Sequence, residues 1–413
     1  MNIEKFIAKR LDQKKSKKQY SKSISKLCTI AISSSIAIII ISICTGKGLE
    51  ENIKKNFIDI NSNITVESYY NSKNEHYIKK NKIYLNDSIL NVIQEIPGVL
   101  YINPVISTFG IISNKKNFLG IILNGIGTTS NSSFLNKKIL TGRKPLKKFE
   151  ILISDFQAKK MHLNLNDTIL LSFLRKKNDN YDDTHSNMVI TGIYKTEIED
   201  FDKNICFTSL EYIQKKMRWD KKVSYYQIFL KDNKHTKKIT NLLNNDIESI
   251  SKNYEIKSFS IYEKYPNVFN WITLFKKNII LITIIMLIVC LINITNFILV
   301  MVIERIHMIG ILKSFGCSNY QILKIFFYRS TNIVIKGLIY GNTTALTICL
   351  IQKIFKIIKL DSSSYFVNEI PIYFDFYSIF LMNFLILALI PIAIMIPYFR
   401  ISKLSLSNSL KIK

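Results

Sequence analysis

The chain has 413 residues, of which 48% are hydrophobic and 21% charged, and its formal net charge is +27. A mean hydropathy of +0.14 is too high for an ordinary soluble protein, so long apolar segments must alternate with polar ones. The positive charge comes from lysines spread through nearly every polar segment, without a stripe of interleaved aromatics, and therefore does not indicate nucleic-acid binding. The six cysteines stand singly, which favours neither a zinc site nor a redox pair.

The first 26 residues are basic, and Ile3, Phe6, Ile7 and Leu11 recur among them at helical spacing. This pattern is typical of a short amphipathic helix on the inner leaflet, with a disordered basic tail as the alternative. Residues 27–46, LCTIAISSSIAIIIISICTG, carry no charge over roughly 20 positions, which is the length that spans a bilayer core. We predict an uncleaved first transmembrane helix here; a cleaved signal peptide is the alternative.

Three further apolar runs predict three more spans. Residues 278–303 and 376–399 are uncharged, and the second of these tolerates Pro391 and Pro397 because neighbouring helices can satisfy the freed carbonyls. Residues 326–351 contain Arg329 and Lys336 near their start, where long basic side chains can reach the interface. The sequence therefore predicts four transmembrane helices.

The segment 47–277 has a different composition, and 352–375 is a short loop. Short apolar runs at 63–67, 110–112, 118–123, 150–153, 168–173, 189–194 and 226–230 predict strands. Helical patterns at 89–96, 155–161, 209–217 and 235–250 lie between them. The segment is therefore predicted to be a mixed α/β domain.

Catalytic and cofactor motifs are missing from the sequence. No Gly-rich loop ends in Gly-Lys-Ser/Thr, so ATP cannot be bound in the way that P-loop proteins bind it. The five histidines are scattered and do not form a metal-ligand spacing. Acidic clusters at 179–183, beside His185, and at 197–202 are interpreted as solvated loops. We expect no enzyme activity and no cofactor in this chain.

Residues 304–325 follow the strongest span and predict a cytoplasmic helix, a break at Gly316, and a new helix from Tyr320 capped by Ser318 or Asn319. A short helix joined to two spans is either a simple connector or an element that receives force from an ATPase. Lysine and arginine near the span ends place three regions on the cytoplasmic side, namely 1–26, 304–325 and the tail 400–413. We therefore expect a multi-pass protein of the bacterial inner membrane with both termini in the cytoplasm, and with the segment 47–277 and the loop 352–375 on the periplasmic side.

Several motifs resemble the MacB/FtsX-type ABC permeases, and among them the lipoprotein-releasing permeases of the LolC/LolE type. The matching stretches are Phe6-Ile7-Ala8-Lys9-Arg10, Thr141-Gly142-Arg143 with Glu150 to Ile153, Val189 to Tyr194, and Asn293 through Glu304-Arg305 to Gly316. The resemblance covers nearly the whole chain and implies an FtsX-like permease architecture with a MacB-like periplasmic core domain.

The resemblance also implies function, partners and a site. It implies lipoprotein extraction from the outer leaflet of the inner membrane, powered by a separate, LolD-like ABC ATPase that binds the ATP. A second permease subunit, identical or homologous, a periplasmic lipoprotein carrier and membrane lipid are the other expected partners, whereas nucleic acid is not expected. The residues expected to couple to the ATPase are Glu304, Arg305, Met308, Ile309, Gly310, Ile311, Leu312, Lys313 and Gly316.

Two departures from the family pattern leave alternatives open. Many members carry an acidic residue where Met308 stands, and the segment 174–188, which forms a carrier-binding hook in LolC-like members, has the composition of a polar, proline-free loop. They leave open a role nearer to LolE, or a homodimer in which this chain serves as both permease subunits. Two other functions also stay open, namely a MacB-like exporter of another amphiphile and an FtsX-like scaffold that transmits ATPase motion to a cell-wall hydrolase.

Overall fold

The computed structural model describes residues 19–68, 82–84, 87–114, 117–127, 133–177, 180–196, 198–250, 256–360 and 367–402. The predicted amphipathic helix at residues 3–11 and most of the predicted tail lie outside these ranges. The chain divides into two compact units. The membrane unit comprises residues 1–51, 271–359 and 369–413, and the α/β unit comprises residues 52–270 and 360–368.

The described helices follow one another in chain order. They are α1 (Gln19–Asn61), α2 (Asp87–Glu95), α3 (Ser133–Lys138), α4 (Asp155–Met161), α5 (Glu199–Asn204), α6 (Leu210–Met217), α7 (Thr236–Ile250), α8 (Ile261–Lys264), α9 (Pro266–Glu304), α10 (Ile306–Ser314), α11 (Asn319–Phe355) and α12 (Phe376–Ser402). The described strands are β1 (Ile64–Ser68), β2 (Val99–Asn114), β3 (Asn117–Ile126), β4 (Ile139–Gly142), β5 (Glu150–Ser154), β6 (Thr168–Lys177), β7 (Asn180–Tyr194), β8 (Ile205–Ser209), β9 (Tyr225–Leu230) and β10 (Ile256–Ser260).

Four described helices are long and apolar enough to cross a membrane, namely α1, α9, α11 and α12. Each contains one of the four predicted spans, so the prediction of four transmembrane helices with a mixed α/β domain is confirmed. The helices run past the predicted limits of the spans. The first helix, for example, continues beyond residue 46 through a proline-free stretch rich in helix formers and ends at Asn61, before Ser62 takes a left-handed φ of 67°.

Small and amide side chains hold the membrane helices together. At Gly337 and Gly341 of α11 a Cβ atom would lie 2.7 Å from Ile32 Cγ2 and 2.8 Å from Ile36 Cβ of α1, so glycine permits the two helices to approach closely. Asn342 of α11 and Asn383 of α12 exchange two amide hydrogen bonds of 3.1 Å. Interhelical hydrogen bonds of this kind stabilise packing where lipid cannot offer a partner.

The α/β unit is built on one ten-stranded sheet with the order β10-β1-β9-β2-β3-β8-β5-β7-β4, and β6 pairs with β2 and β7. The pairs β3–β8 and β5–β7 are parallel, and the other described pairs are antiparallel. Inward-facing strand residues and helices α2, α4, α6 and α7 bury the main apolar core, which includes Ile106, Leu171, Ile213 and Leu243. The alternating strand patterns of the sequence therefore do correspond to half-buried strands.

The predicted loop at 174–188 is wrong, because this segment belongs to a long β-hairpin. β6 pairs with β7 antiparallel from Thr168↔Val189 to Lys177↔Asn180. Asp183, His185 and Asn187 are exposed polar residues, so the sequence of these strands has the composition of a loop. Backbone pairing and the buried Phe173, Thr184, Ser186 and Met188 nevertheless keep the segment extended.

The acidic cluster at 197–202 is not a wholly solvated loop. Residues 199–204 form α5, and Asp202 is buried, where its carboxylate accepts hydrogen bonds from the Thr196 amide at 3.0 Å and hydroxyl at 2.7 Å. Glu197 lies outside the described residues, and so does Asp179 of the other predicted cluster. Of that cluster, Asp182 forms an ion pair with Arg175 at 3.0 Å.

Candidate functional site

The predicted coupling segment folds as a helix between two sharp turns. α9 ends at Glu304, and Arg305 breaks the helix before α10 begins. α10 ends at Ser314, and Gly316 follows with a φ of 82°, a left-handed conformation that favours glycine. Ser318 caps α11 and forms a capping box with Gln321. The predicted break at Gly316 and cap at Ser318 are therefore present.

The nine predicted coupling residues do not share one surface. Ile309 is fully buried in the membrane-unit core, Gly310 is buried as well, and Met308 packs against the same core. These three residues hold α10 in place, and of them Ile309 and Gly310 are buried while Met308 is half-buried. The remaining six are exposed or half-buried, namely Glu304, Arg305, Ile311, Leu312, Lys313 and Gly316.

The exposed side of α10 contains residues that the sequence did not single out. Ile311 is 48% exposed, and Phe315, directly after the helix, is 82% exposed. Glu304 at the end of α9 is exposed, and so are His307, Ile311, Ser314 and Phe315. Ile311 follows His307 by four residues, and Ser314 and Phe315 follow Ile311 by three and four, as on one helix face. We call these five residues the coupling face. An apolar ring at a helix end with few neighbours of its own is suited to a pocket on a partner protein.

The motif Thr141-Gly142-Arg143 with Glu150 forms a structural clamp in the α/β unit. Arg143 Nη1 and Nη2 donate to the two Glu150 carboxylate oxygens at 2.8 and 2.6 Å, and the Leu146 and Lys147 amides donate to Oε2 at 2.9 and 3.0 Å. The Arg143 guanidinium and these amides lower the pKa of Glu150 to about 2. The motif therefore fixes the loop between β4 and β5.

The backbone of the same clamp requires a glycine at position 142. It has a φ of 82°, and a Cβ at this position would lie 2.2 Å from Thr191 O and 2.8 Å from Gly192 Cα on the paired strand β7. No side chain can be accommodated at such distances without moving the backbone. The family motif is thus explained by backbone approach and by one ion pair.

A cleft of about 280 Å³ lies within the α/β unit, lined by amides and aromatic rings. Lys264 forms an ion pair with Glu67 at 2.9 Å, and the Tyr265 hydroxyl donates to Asn61 Oδ1 at 2.8 Å. Burial raises the pKa of Tyr265 to about 12, so its hydroxyl stays protonated. Over the part of the chain that the structure describes, no group of three His, Cys, Asp or Glu side chains could hold a metal ion. Cys206 is buried and donates to Gln157 Oε1, and burial raises the pKa of its thiol.

Comparison with protein families agrees with this architecture in both parts of the chain. The family model for the FtsX-like permease C-terminal region matches residues 280–406, and the model for the MacB-like periplasmic core domain matches residues 25–245. These two regions define a membrane permease with an extracytoplasmic domain. The chain belongs to the FtsX/MacB type of ABC transporter permeases, which are bacterial inner-membrane components that work with an ABC ATPase.

Two curated relatives come from Buchnera aphidicola subsp. Schizaphis graminum (strain Sg). The lipoprotein-releasing system transmembrane protein LolC is 26% identical over 373 residues, which cover 88% of this chain and 87% of the relative. An uncharacterized membrane protein is 25% identical over 359 residues, which cover 84% of this chain and 82% of the relative. Both alignments extend across the α/β domain and the membrane helices.

Solved structures of isolated extracytoplasmic domains are also similar. The periplasmic region of MacB from Actinobacillus actinomycetemcomitans is 14% identical with a TM-score of 0.36, covering 53% of this chain and 98% of that chain. The extracellular domain of the noncanonic ABC-type transporter YknZ from Gram-positive bacteria is 13% identical with a TM-score of 0.33, covering 48% of this chain and 99% of that chain.

Proposed function

We propose that this chain is the permease subunit of an ABC transporter that extracts lipoproteins from the outer leaflet of the inner membrane and transfers them to a periplasmic carrier. The observation that carries this proposal is the similarity to LolC, which extends over 88% of this chain rather than over the membrane helices alone. ATP is bound and hydrolysed by a separate ATPase subunit, and a second permease subunit, identical or homologous, completes the complex. Both termini are cytoplasmic in this arrangement.

The coupling face supports the ATPase part of the proposal. Ile309 and Gly310 fasten α10 to the membrane-unit core, while Ile311 and Phe315 point away from it. A helix fastened on one face and exposed on the other moves with the spans on either side of it. Motion of an ATPase bound at Phe315 is therefore transmitted to α9 and α11.

The β6–β7 hairpin supports the carrier part. The hook of LolC-like permeases follows the strand that corresponds to β6, and in this chain the residues there form a hairpin that is joined across its strands by Ser172 Oγ and His185 Nδ1 at 2.8 Å. The ion pair between Arg175 and Asp182 joins the strands nearer the tip. An extended hairpin offers backbone groups and side chains for docking a soluble partner.

The test is ATP-driven release from right-side-out vesicles of the native membrane, loaded internally with ATP. If the proposal holds, intact acylated lipoproteins leave the vesicles when purified carrier is supplied outside, and Phe315→Asp abolishes the release. Release of a different amphiphile with lipoproteins retained would favour the MacB-like exporter. ATP-dependent activation of a cell-wall hydrolase without any release would favour the FtsX-like scaffold.

A further inference from the structure

A polar groove lies between α1 and α11, beside the first third of α1 and the middle of α11. Its volume is about 360 Å³, and it is lined by Ser25, Lys26, Thr29, Ile30, Ser33, Lys336 and Tyr340. The two helices run in the same direction, because Gly337 packs on Ile32 and Gly341 packs on Ile36 in one register. On α1 the groove lies at the start of the predicted span 27–46, which is the end that the lysine distribution predicts to be cytoplasmic.

Two lysines face this groove from different helices. Lys26 and Lys336 are both exposed, and the residues that the structure describes form no ion pair with either of them. Lys336 belongs to a span, and its helical neighbours Ile335 and Ile339 are exposed apolar side chains, as expected of a surface that faces lipid. A lysine ammonium within a membrane span costs free energy unless it reaches an opposite charge or the membrane–water interface.

The groove also supplies hydroxyl groups and an apolar wall. Ser25, Ser33 and Tyr340 line it beside the lysines, and the exposed Ile30 continues it as an apolar surface. Helical side chains lean toward the N-terminus of their helix, which directs Lys336 toward the level of Lys26 and the membrane interface. Positive charge, hydroxyl donors and an adjoining apolar wall match a phosphate head group with its acyl chains.

We propose that this groove binds an anionic phospholipid, such as phosphatidylglycerol, in the leaflet opposite to the one from which lipoproteins would be extracted. Lys26 and Lys336 pair with the phosphate, and the hydroxyls donate to its oxygens. The lipid is thus a bound component that fastens α1 to α11, and it is distinct from the transported substrate. The site does not depend on the identity of the cargo.

The experiment is native mass spectrometry of the full-length chain in detergent, titrated with phosphatidylglycerol or with phosphatidylcholine of the same acyl chains. We expect phosphatidylglycerol to bind at least about tenfold more tightly, and the double variant Lys26→Gln, Lys336→Gln to lose that preference. Lys353→Gln is the matched control, because Lys353 belongs to the same helix but lies 5.2 Å from the Phe374 ring centroid, outside the groove. This control should keep the preference.

Several results would overturn the proposal. One is equal binding of the two lipids by the unmodified chain, and another is an unchanged preference in the double variant. Displacement of phosphatidylglycerol by millimolar inorganic phosphate would identify a soluble-anion site instead of a lipid site. If the double variant does not fold, the comparison of Lys336→Arg with Lys336→Gln decides, since only arginine retains the charge and should retain the preference.

Discussion

Truncation of the Phe315 side chain should lower the affinity for the ATPase without lowering the stability of the chain. The ring is 82% exposed and belongs to the coupling face, so Phe315→Ala removes few contacts within the chain. If burial of the phenylalanine at an interface covers about 150 Å², then at about 25 cal/mol per Å² it contributes about 4 kcal/mol. Measured interface anchors give about 2–4 kcal/mol, so we expect the ATPase affinity to fall by about 30-fold to 1000-fold.

The assay is an affinity titration of the detergent-solubilised chain with the ATPase that co-purifies with it, accompanied by a thermal unfolding curve. Phe118→Ala is the matched control, because Phe118 is 80% exposed but lies on β3 of the α/β unit. This control should leave the affinity unchanged. Ile309→Ala should instead lower the free energy of unfolding by roughly 2–5 kcal/mol, since Ile309 is fully buried. Unchanged ATPase affinity in folded Phe315→Ala would refute the assignment of the coupling face.

Three further predictions concern the fold. Gly142→Ala should lower the free energy of unfolding by about 2–5 kcal/mol, from left-handed strain and overpacking, which a thermal melt of the full chain in detergent measures. The Arg143 guanidinium lowers the pKa of Glu150 from 4.5 to about 2. The ionised Glu150 therefore contributes to the free energy of unfolding in full above pH 4.5, and this contribution is lost as the pH falls toward 2. Between pH 6 and pH 3 the melting temperature of the unmodified chain should therefore fall more steeply than that of Glu150→Gln. Gly341→Leu should separate α1 from α11, because even a Cβ at this position would lie 2.8 Å from Ile36 Cβ. The measurement is the yield of a disulfide between cysteines introduced on the two helices beside this contact, which should fall in the variant.

The sequence predicts the membrane spans well because their signal is local. An uncharged run of sufficient length has few alternatives to a transmembrane helix, and all four predicted spans lie within helices of the structure. Their ends are less predictable, because polar residues such as those at 47–61 are good helix formers on either side of an interface. Helix ends follow from caps and tertiary contacts as much as from apolar length.

The hairpin and the buried acidic residue show where local patterns fail. The segment from Leu174 to Met188 carries polar side chains because one face of the hairpin is solvated, and it is extended because β6 and β7 pair with each other. Asp202 has the composition of a surface residue but is buried, since Thr196 supplies its donors. Both outcomes depend on contacts that composition alone does not encode.

The sequence predicts the bounds of α10 better than it predicts which side of this helix is buried. The Gly316 break and the Ser318 cap are sequence signals with direct physical causes, and both are present in the structure. Which side of so short a helix is buried depends on the helices around it. For this reason the set of coupling residues predicted from sequence includes the buried Ile309 and Gly310 and omits the exposed Phe315. The exposed aromatic immediately before a helix-breaking glycine was the signal that could have identified it.

The central claim is tested most directly by affinity purification of the detergent-solubilised chain from its native membrane, followed by mass spectrometry of the proteins and lipids that remain bound. A permease of a lipoprotein-releasing transporter should retain an ABC ATPase in stoichiometric amount together with acylated lipoproteins. An ATPase accompanied by a cell-wall hydrolase and no lipoprotein would contradict lipoprotein release and support the scaffold role. The absence of any ABC ATPase, with the chain folded and monodisperse, would contradict a coupling function for α10.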